Sequence, residues 1–131
     1  MSPRILVIND DQSLLELFRL VLHEEGGYDV HLSSFPFEEV SEVEQLRPDL
    51  IILDFKMGQY NAAWSLLQKL KMYRPTKDIP IILCTAALLE VREQQETLRE
   101  KSIPVIYKPF DIDDFLQVVH HFLPPSKEPH A

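Results

Sequence analysis

The chain is poor in cysteine, in glycine and in basic charge, and each shortage closes off a class of protein. One cysteine, Cys84, among 131 residues excludes an intrachain disulfide, and its place inside the apolar run 79–84 marks it as a small core hydrophobe. With 3 glycines in all, no Gly-rich phosphate loop follows the first apolar run, so flavin or nucleotide binding of that kind is unsupported. Basic side chains number 13 against 21 acidic ones, a formal charge of −8, where a nucleic-acid ligand demands a basic footprint. Direct nucleic-acid partners are therefore not expected. Apolar runs such as 50–53 and 79–84 fall far short of the ~20 residues that span a bilayer, and the opening MSPRILVI lacks a signal-peptide layout. The expectation is a soluble cytoplasmic protein with no membrane partner.

What the chain does have is apolar content of 45%, enough at this length for one core and one domain. Short apolar runs rich in β-branched residues recur at 4–8, 29–32, 50–53, 79–84 and 104–106. Near-continuous apolarity of this kind marks strands buried on both faces. Between them lie segments with helical spacing at 13–24, 37–46 (weakly), 62–73, 88–101 and 111–122. Strict alternation of five strands and five helices through short connections predicts an α/β fold with a mainly parallel sheet covered on both faces. Several of the 10 prolines punctuate these boundaries, among them Pro36, Pro48, Pro75, Pro80, Pro104 and Pro109. Gly26 and Gly27 are placed to end the first helix, and Asp111 to accept from the orphan N–H groups of the last. One domain is expected over 1–124. Residues 125–131, polar and Pro-rich, are expected to form a disordered tail, with no output domain after it.

Polar residues fall at the carboxyl ends of four apolar runs: Asn9, Asp10 and Asp11 after the first, Asp54 after the third, Thr85 after the fourth and Lys108 after the fifth. In an open parallel sheet that edge is where ligands bind, so groups far apart in sequence can converge. Converging carboxylates repel and call for a cation. With oxygen donors and no paired His or Cys, the set around Asp10 and Asp54 suits Mg²⁺, which is hard and usually takes one or two carboxylates plus phosphate oxygens. Lys108 supplies three donors on a point charge and Thr85 a hydroxyl, both suited to a transferring phosphoryl group. Asp54 is then the natural nucleophile.

Taken in order, the motifs ILVINDD, LIILDFKMG, IILCTA and YKPF resemble those of bacterial response-regulator receiver domains, over residues 4 to about 123. The resemblance implies a flavodoxin-like, doubly wound fold: a five-stranded parallel sheet ordered 2-1-3-4-5, flanked by five helices. It implies that Asp54 is the phosphoacceptor, that Asp10 and the backbone carbonyl of Lys56 join Asp54 in binding Mg²⁺, and that Thr85 and Lys108 contact the phosphoryl group. It also implies a cis Lys108–Pro109 bond. The partners implied are a sensor histidine kinase or histidine phosphotransfer protein and a downstream protein target. The fourth helix, fifth strand and fifth helix would form the output surface and a homodimer face. Such a protein is not an enzyme beyond catalysing its own phosphorylation and dephosphorylation. A phosphohydrolase of related architecture needs a carboxylate two residues after its nucleophile, where this chain has Lys56.

The chain departs from the receiver pattern in four places. Asn9 stands where a carboxylate is usual, and is expected to hold a metal-bound water through its side-chain oxygen. Lys56 is an unusual residue two positions after the acceptor. The run 58–62, GQYNA, replaces the frequent Pro and Asp-Gly turn. Val105 occupies the position of the aromatic that reports phosphorylation. Because neighbouring strand positions face opposite ways, Tyr107 is not expected to take over that role. These departures keep a second function open, a degenerate receiver acting as a phosphorylation-independent scaffold. Trp64 is expected to cover local core, and His120 and His121, adjacent on one helix, cannot share a face.

Overall fold

The computed structural model describes residues 3–9, 12–33, 41–54, 60–86, 89–108 and 111–124. Along them run β1 (Arg4–Ile8), α1 (Gln12–Gly26), β2 (Asp29–Ser33), α2 (Ser41–Leu46), β3 (Leu50–Asp54) and α3 (Tyr60–Met72). These are followed by β4 (Ile81–Ala86), α4 (Leu89–Glu93), α5 (Gln95–Glu100), β5 (Val105–Lys108) and α6 (Ile112–Phe122). All five strands pair in parallel in the order β2-β1-β3-β4-β5.

The sheet is apolar on both faces, which is why its strands read as unbroken apolar runs. Leu6, Ile8, Ile51, Leu53, Ile81 and Leu83 form one buried cluster with Val43, Leu67, Leu70, Val91 and Leu98 of α2 to α5. Their strand neighbours Ile5, Val7, Leu50, Ile52, Ile82, Cys84 and Ile106 pack on the other side with Phe18 and Leu22 of α1 and Phe115 and Val119 of α6. Cys84 is a buried core residue as expected, and Trp64 packs half-buried against the first cluster. Among the described residues no helix is long and apolar enough to cross a membrane.

Three local expectations are corrected. The helix expected over 88–101 is two segments, α4 and α5, interrupted at Gln94. Gln94 has ψ near 10° and no side-chain cap, yet its carbonyl accepts from Leu98 N–H, so α5 starts afresh there. The expected last helix is accordingly α6. The fourth strand starts at Ile81 and ends at Ala86, two residues later than expected at each end, because Ile79 N–H closes a turn onto Thr76 and Pro80 has no N–H to give. Asp111 does stand at the cap of α6 with extended backbone, but its side chain makes no cap bond. Only its carbonyl enters the helix, accepting from Phe115.

Gly27 ends α1 with φ +68°, the left-handed conformation that favours glycine. Gly26 has a different constraint, since the ring of Tyr28 lies directly over it. The fully buried Tyr28 donates its hydroxyl proton to the Leu123 carbonyl and lies 2.8 Å from Nδ1 of His120. A carbonyl can only accept, so partner accounting makes His120 Nδ1 the donor to the phenol oxygen. This clasp holds the end of α6 against the start of β2. At the same end Arg4 reaches Asp29 (3.2 Å) and the Leu46 carbonyl (2.6 Å). The amino edge of the sheet is thus tied down, and the carboxyl edge is left to the polar residues.

Candidate functional site

At the carboxyl edge the chain places its polar residues on four adjacent strands. From β1 it passes to β2 on one side, then crosses to β3 on the other, so order reverses between β1 and β3. That divergence opens a crevice, the usual binding position in such sheets. Asn9 follows β1 directly and is 1% exposed, with its N–H donated to the Ser33 carbonyl at 3.1 Å. Asp54 is the last residue of β3. Since Ile8 is level with Leu53, Asn9 and Asp54 come level across the crevice.

Asp54 is level with Cys84, which puts Thr85 one residue further along the neighbouring strand. Lys108 is level with Ala86, two residues beyond Asp54 and two strands away. With strands ~4.8 Å apart and ~3.3 Å per residue, that interval exceeds what a short side chain spans. A lysine, with its four-carbon stem, is suited to it. The structure therefore brings Asn9, Asp54, Thr85 and Lys108 to one edge. Asp54, Thr85 and Lys108 lie within the ends of β3, β4 and β5 rather than beyond them. Asp10, Asp11, Lys56 and the Lys108–Pro109 bond lie outside the described residues, as does the Asp54 side chain. Among the described residues no group of three His, Cys, Asp or Glu is placed to hold a metal.

Thr85 is the informative member. It is fully buried, and among the described residues its Oγ1 has no hydrogen-bond partner. A buried hydroxyl left unmatched costs ~1–3 kcal/mol, so a fold that keeps one at a polar edge has a group prepared to donate to something.

The reason for setting Tyr107 aside, that it faces the other way from Val105, is corrected. Val105 and Tyr107 are two residues apart and share a face, both packing against the cluster that contains Leu83 and Leu98. Ile106 between them joins the opposite cluster. Strand alternation would have shown this from sequence; what it could not supply is the partner on α5, where Gln95 Nε2 donates to Tyr107 Oη at 2.8 Å.

Three similarities bear on this arrangement. RpaA of Synechocystis, a DNA-binding dual master transcriptional regulator, is 31% identical over 121 residues, 92% of this chain and 49% of that protein. The chain thus spans about half the length of that relative. Sporulation initiation phosphotransferase F of Bacillus subtilis is 28% identical over 124 residues, 95% of this chain and 96% of its own length. Among solved structures, the receiver domain of the Pseudomonas aeruginosa sensor histidine kinase PA1611, described with magnesium in its active-site cleft, superposes with a TM-score of 0.71. It is 20% identical, and the match covers 93% of this chain and 98% of that one. The family model of the response regulator receiver domain matches residues 5–120. That match takes in all five strands but for Arg4 and runs through α6 as far as His120, and the chain belongs to the receiver domains of two-component response regulators.

Proposed function

We propose that this receiver accepts a phosphoryl group on Asp54 and signals the change through protein–protein contacts. The observation that supports it most is the buried, unpartnered Thr85 hydroxyl beside Asp54, on an edge that also carries Lys108. The Asp54 carboxylate attacks the phosphorus of a phosphohistidine, or of a small donor such as acetyl phosphate, in line with the bond to the leaving group. An O–P bond forms as the P–N or P–O bond breaks, and the leaving atom keeps the electron pair. Thr85 donates to one equatorial oxygen and Lys108 to another, where negative charge must be held.

The oxygen-only donor set and the orphaned hydroxyl fit a site for Mg²⁺. Asp10, Asp54 and the Lys56 carbonyl would hold the ion, with Asn9 contributing through a water. Bound there, it would offset the charge of the carboxylates and phosphoryl oxygens. The protein would act on itself rather than as an enzyme on other substrates. Its partners would be a histidine kinase or histidine phosphotransfer protein in the cytoplasm and a downstream protein. The surface of α4, α5, β5 and α6 would serve as the output face and as the face of a homodimer.

Incubation with Mg²⁺ and acetyl phosphate is expected to give an acid-stable, base-labile adduct on Asp54, absent in Asp54→Asn. No adduct, or an equal yield in the variant, would refute the assignment. Asn9, buried where a carboxylate is usual, favours a second reading, a scaffold that works without phosphorylation. Intact partner binding without Mg²⁺ binding or adduct would establish that reading instead.

A further inference from the structure

At the amino edge, the turn that leads from α3 to β4 closes round one lysine. The Tyr73 carbonyl accepts from the N–H groups of Thr76 and Lys77, the Thr76 carbonyl from Ile79, and the fully buried Thr76 donates its hydroxyl to the Leu70 carbonyl. This frame fixes the carbonyls of Lys77 and Ile79, and both accept from Nζ of Lys71, in the last turn of α3, at 3.3 and 3.1 Å. Lys71 is half-buried, whereas Lys69, Lys77 and Lys101 are exposed. Burial is the main influence on its amine and pushes it below the usual lysine range; the charge of Lys101 pushes the same way, and that of Asp78 opposes.

An ammonium brings three N–H groups to this pair of carbonyls, and a neutral amine brings two. In the neutral form both carbonyls are satisfied, and the lone pair takes the remaining tetrahedral corner, directed away from them. We propose that Lys71 is an acylation site for acyl phosphates: the Lys77 and Ile79 carbonyls orient its Nζ, and Lys101, closing α5, draws in the phosphate. Partial desolvation beside a second cation is a recognised way of making a lysine nucleophilic, and that cation favours an anionic donor over a neutral one. The Nζ lone pair attacks the acyl carbon and a C–N bond forms. The bond from that carbon to the bridging oxygen breaks, phosphate leaves with the electron pair, and the amine gives one proton to solvent. The amide keeps a single N–H for two carbonyls and carries no charge, so acylation removes one of the two ties from Lys71 to the turn. The site lies at the opposite edge of the sheet from Asp54 and is independent of the phosphoacceptor reading.

The test incubates the full chain with acetyl phosphate in EDTA, where Mg²⁺-dependent phosphorylation does not contribute, and times acetylation of each lysine by peptide mass spectrometry. Lys71 is expected to react several-fold faster than Lys69 and Lys77 in the folded chain, and no faster than they do in urea. Asp78→Asn removes the opposing charge and should speed Lys71. Lys101→Gln should slow Lys71 more with acetyl phosphate than with the neutral reagent N-hydroxysuccinimidyl acetate. Lys71→Arg should abolish the fast-reacting site. A folded-state rate at Lys71 no greater than at Lys69 and Lys77, or a lead that persists in urea, overturns the site. Equal slowing of both reagents in Lys101→Gln overturns the choice of an acyl phosphate as its substrate.

Discussion

Replacing Thr85 by valine separates what the fold wants at that position from what the site wants. In the folded chain the hydroxyl is fully buried without a partner among the described residues, whereas in the unfolded chain water satisfies it. That imbalance costs the native state ~1–3 kcal/mol, and a methyl in its place adds apolar burial of up to ~0.8 kcal/mol. Thr85→Val should therefore raise stability by about 1–3 kcal/mol, although the same swap usually destabilises where the hydroxyl is bonded. With a urea m-value of ~2 kcal/mol/M, the midpoint should rise by about 1 M at constant m. Trp64, the sole tryptophan, packs against the core and reports unfolding by fluorescence. In the same variant, adduct formation on Asp54 should slow on the order of 10²-fold, the usual loss when one donor to a developing charge is removed. An unchanged or lower midpoint would show that the hydroxyl is bonded in the native state. A raised midpoint with an unslowed rate would remove Thr85 from the phosphoryl contacts.

Other consequences concern the clasp at the opposite end. Gly26→Ala would set a methyl 2.2 Å from a ring atom of Tyr28, so the ring must leave its place under two hydrogen bonds. Overpacking of ~1–3 kcal/mol together with weakened bonds outweighs the ~1 kcal/mol gained in helix propensity, and thermal melting should show a lower Tm. Gly27→Ala meets open space and should cost only the ~1 kcal/mol of a left-handed backbone, giving the smaller drop in the same melt. Burial pushes the Tyr28 hydroxyl above its ordinary value of 10.0, so it stays protonated in the fold when the unfolded chain has begun to ionise. Its contribution is whole below pH 10.0 and is lost as pH rises through the folded value. Urea midpoints measured at pH 9 and at roughly pH 11 should fall more in the unsubstituted chain than in Tyr28→Phe.

Much of this architecture was legible in the chain because its signals are local. Five apolar runs announce five strands buried on both faces, and the residues closing four of them announce a polar edge. Asp54 and Lys108 could be picked out by their position after such runs, and the order of four motifs was enough to suggest the family. Other features were not legible, for reasons that are also physical. The break at Gln94 shows in no periodicity, because Leu89–Glu93 and Gln95–Glu100 each keep helical spacing on their own side of it. Asp111 reads as a side-chain cap, yet whether its carboxylate reaches back depends on a rotamer that spacing does not specify.

What the sequence by itself determined is the five strands, the helical segments between them and the identity of the polar residues at the strand ends, since hydrophobic period and turn chemistry act over a few residues. Strand order came from sequence only through resemblance; in the chain it is fixed by parallel pairing between segments tens of residues apart. The tertiary structure alone decided that Asn9 is buried, that the Thr85 hydroxyl has no partner among the described residues, and that Tyr107 pairs with Thr85 across β4 and β5 while Gln95 of α5 donates to its hydroxyl. Each of those is a relation between separate elements, set by register and packing, and no local pattern encodes it.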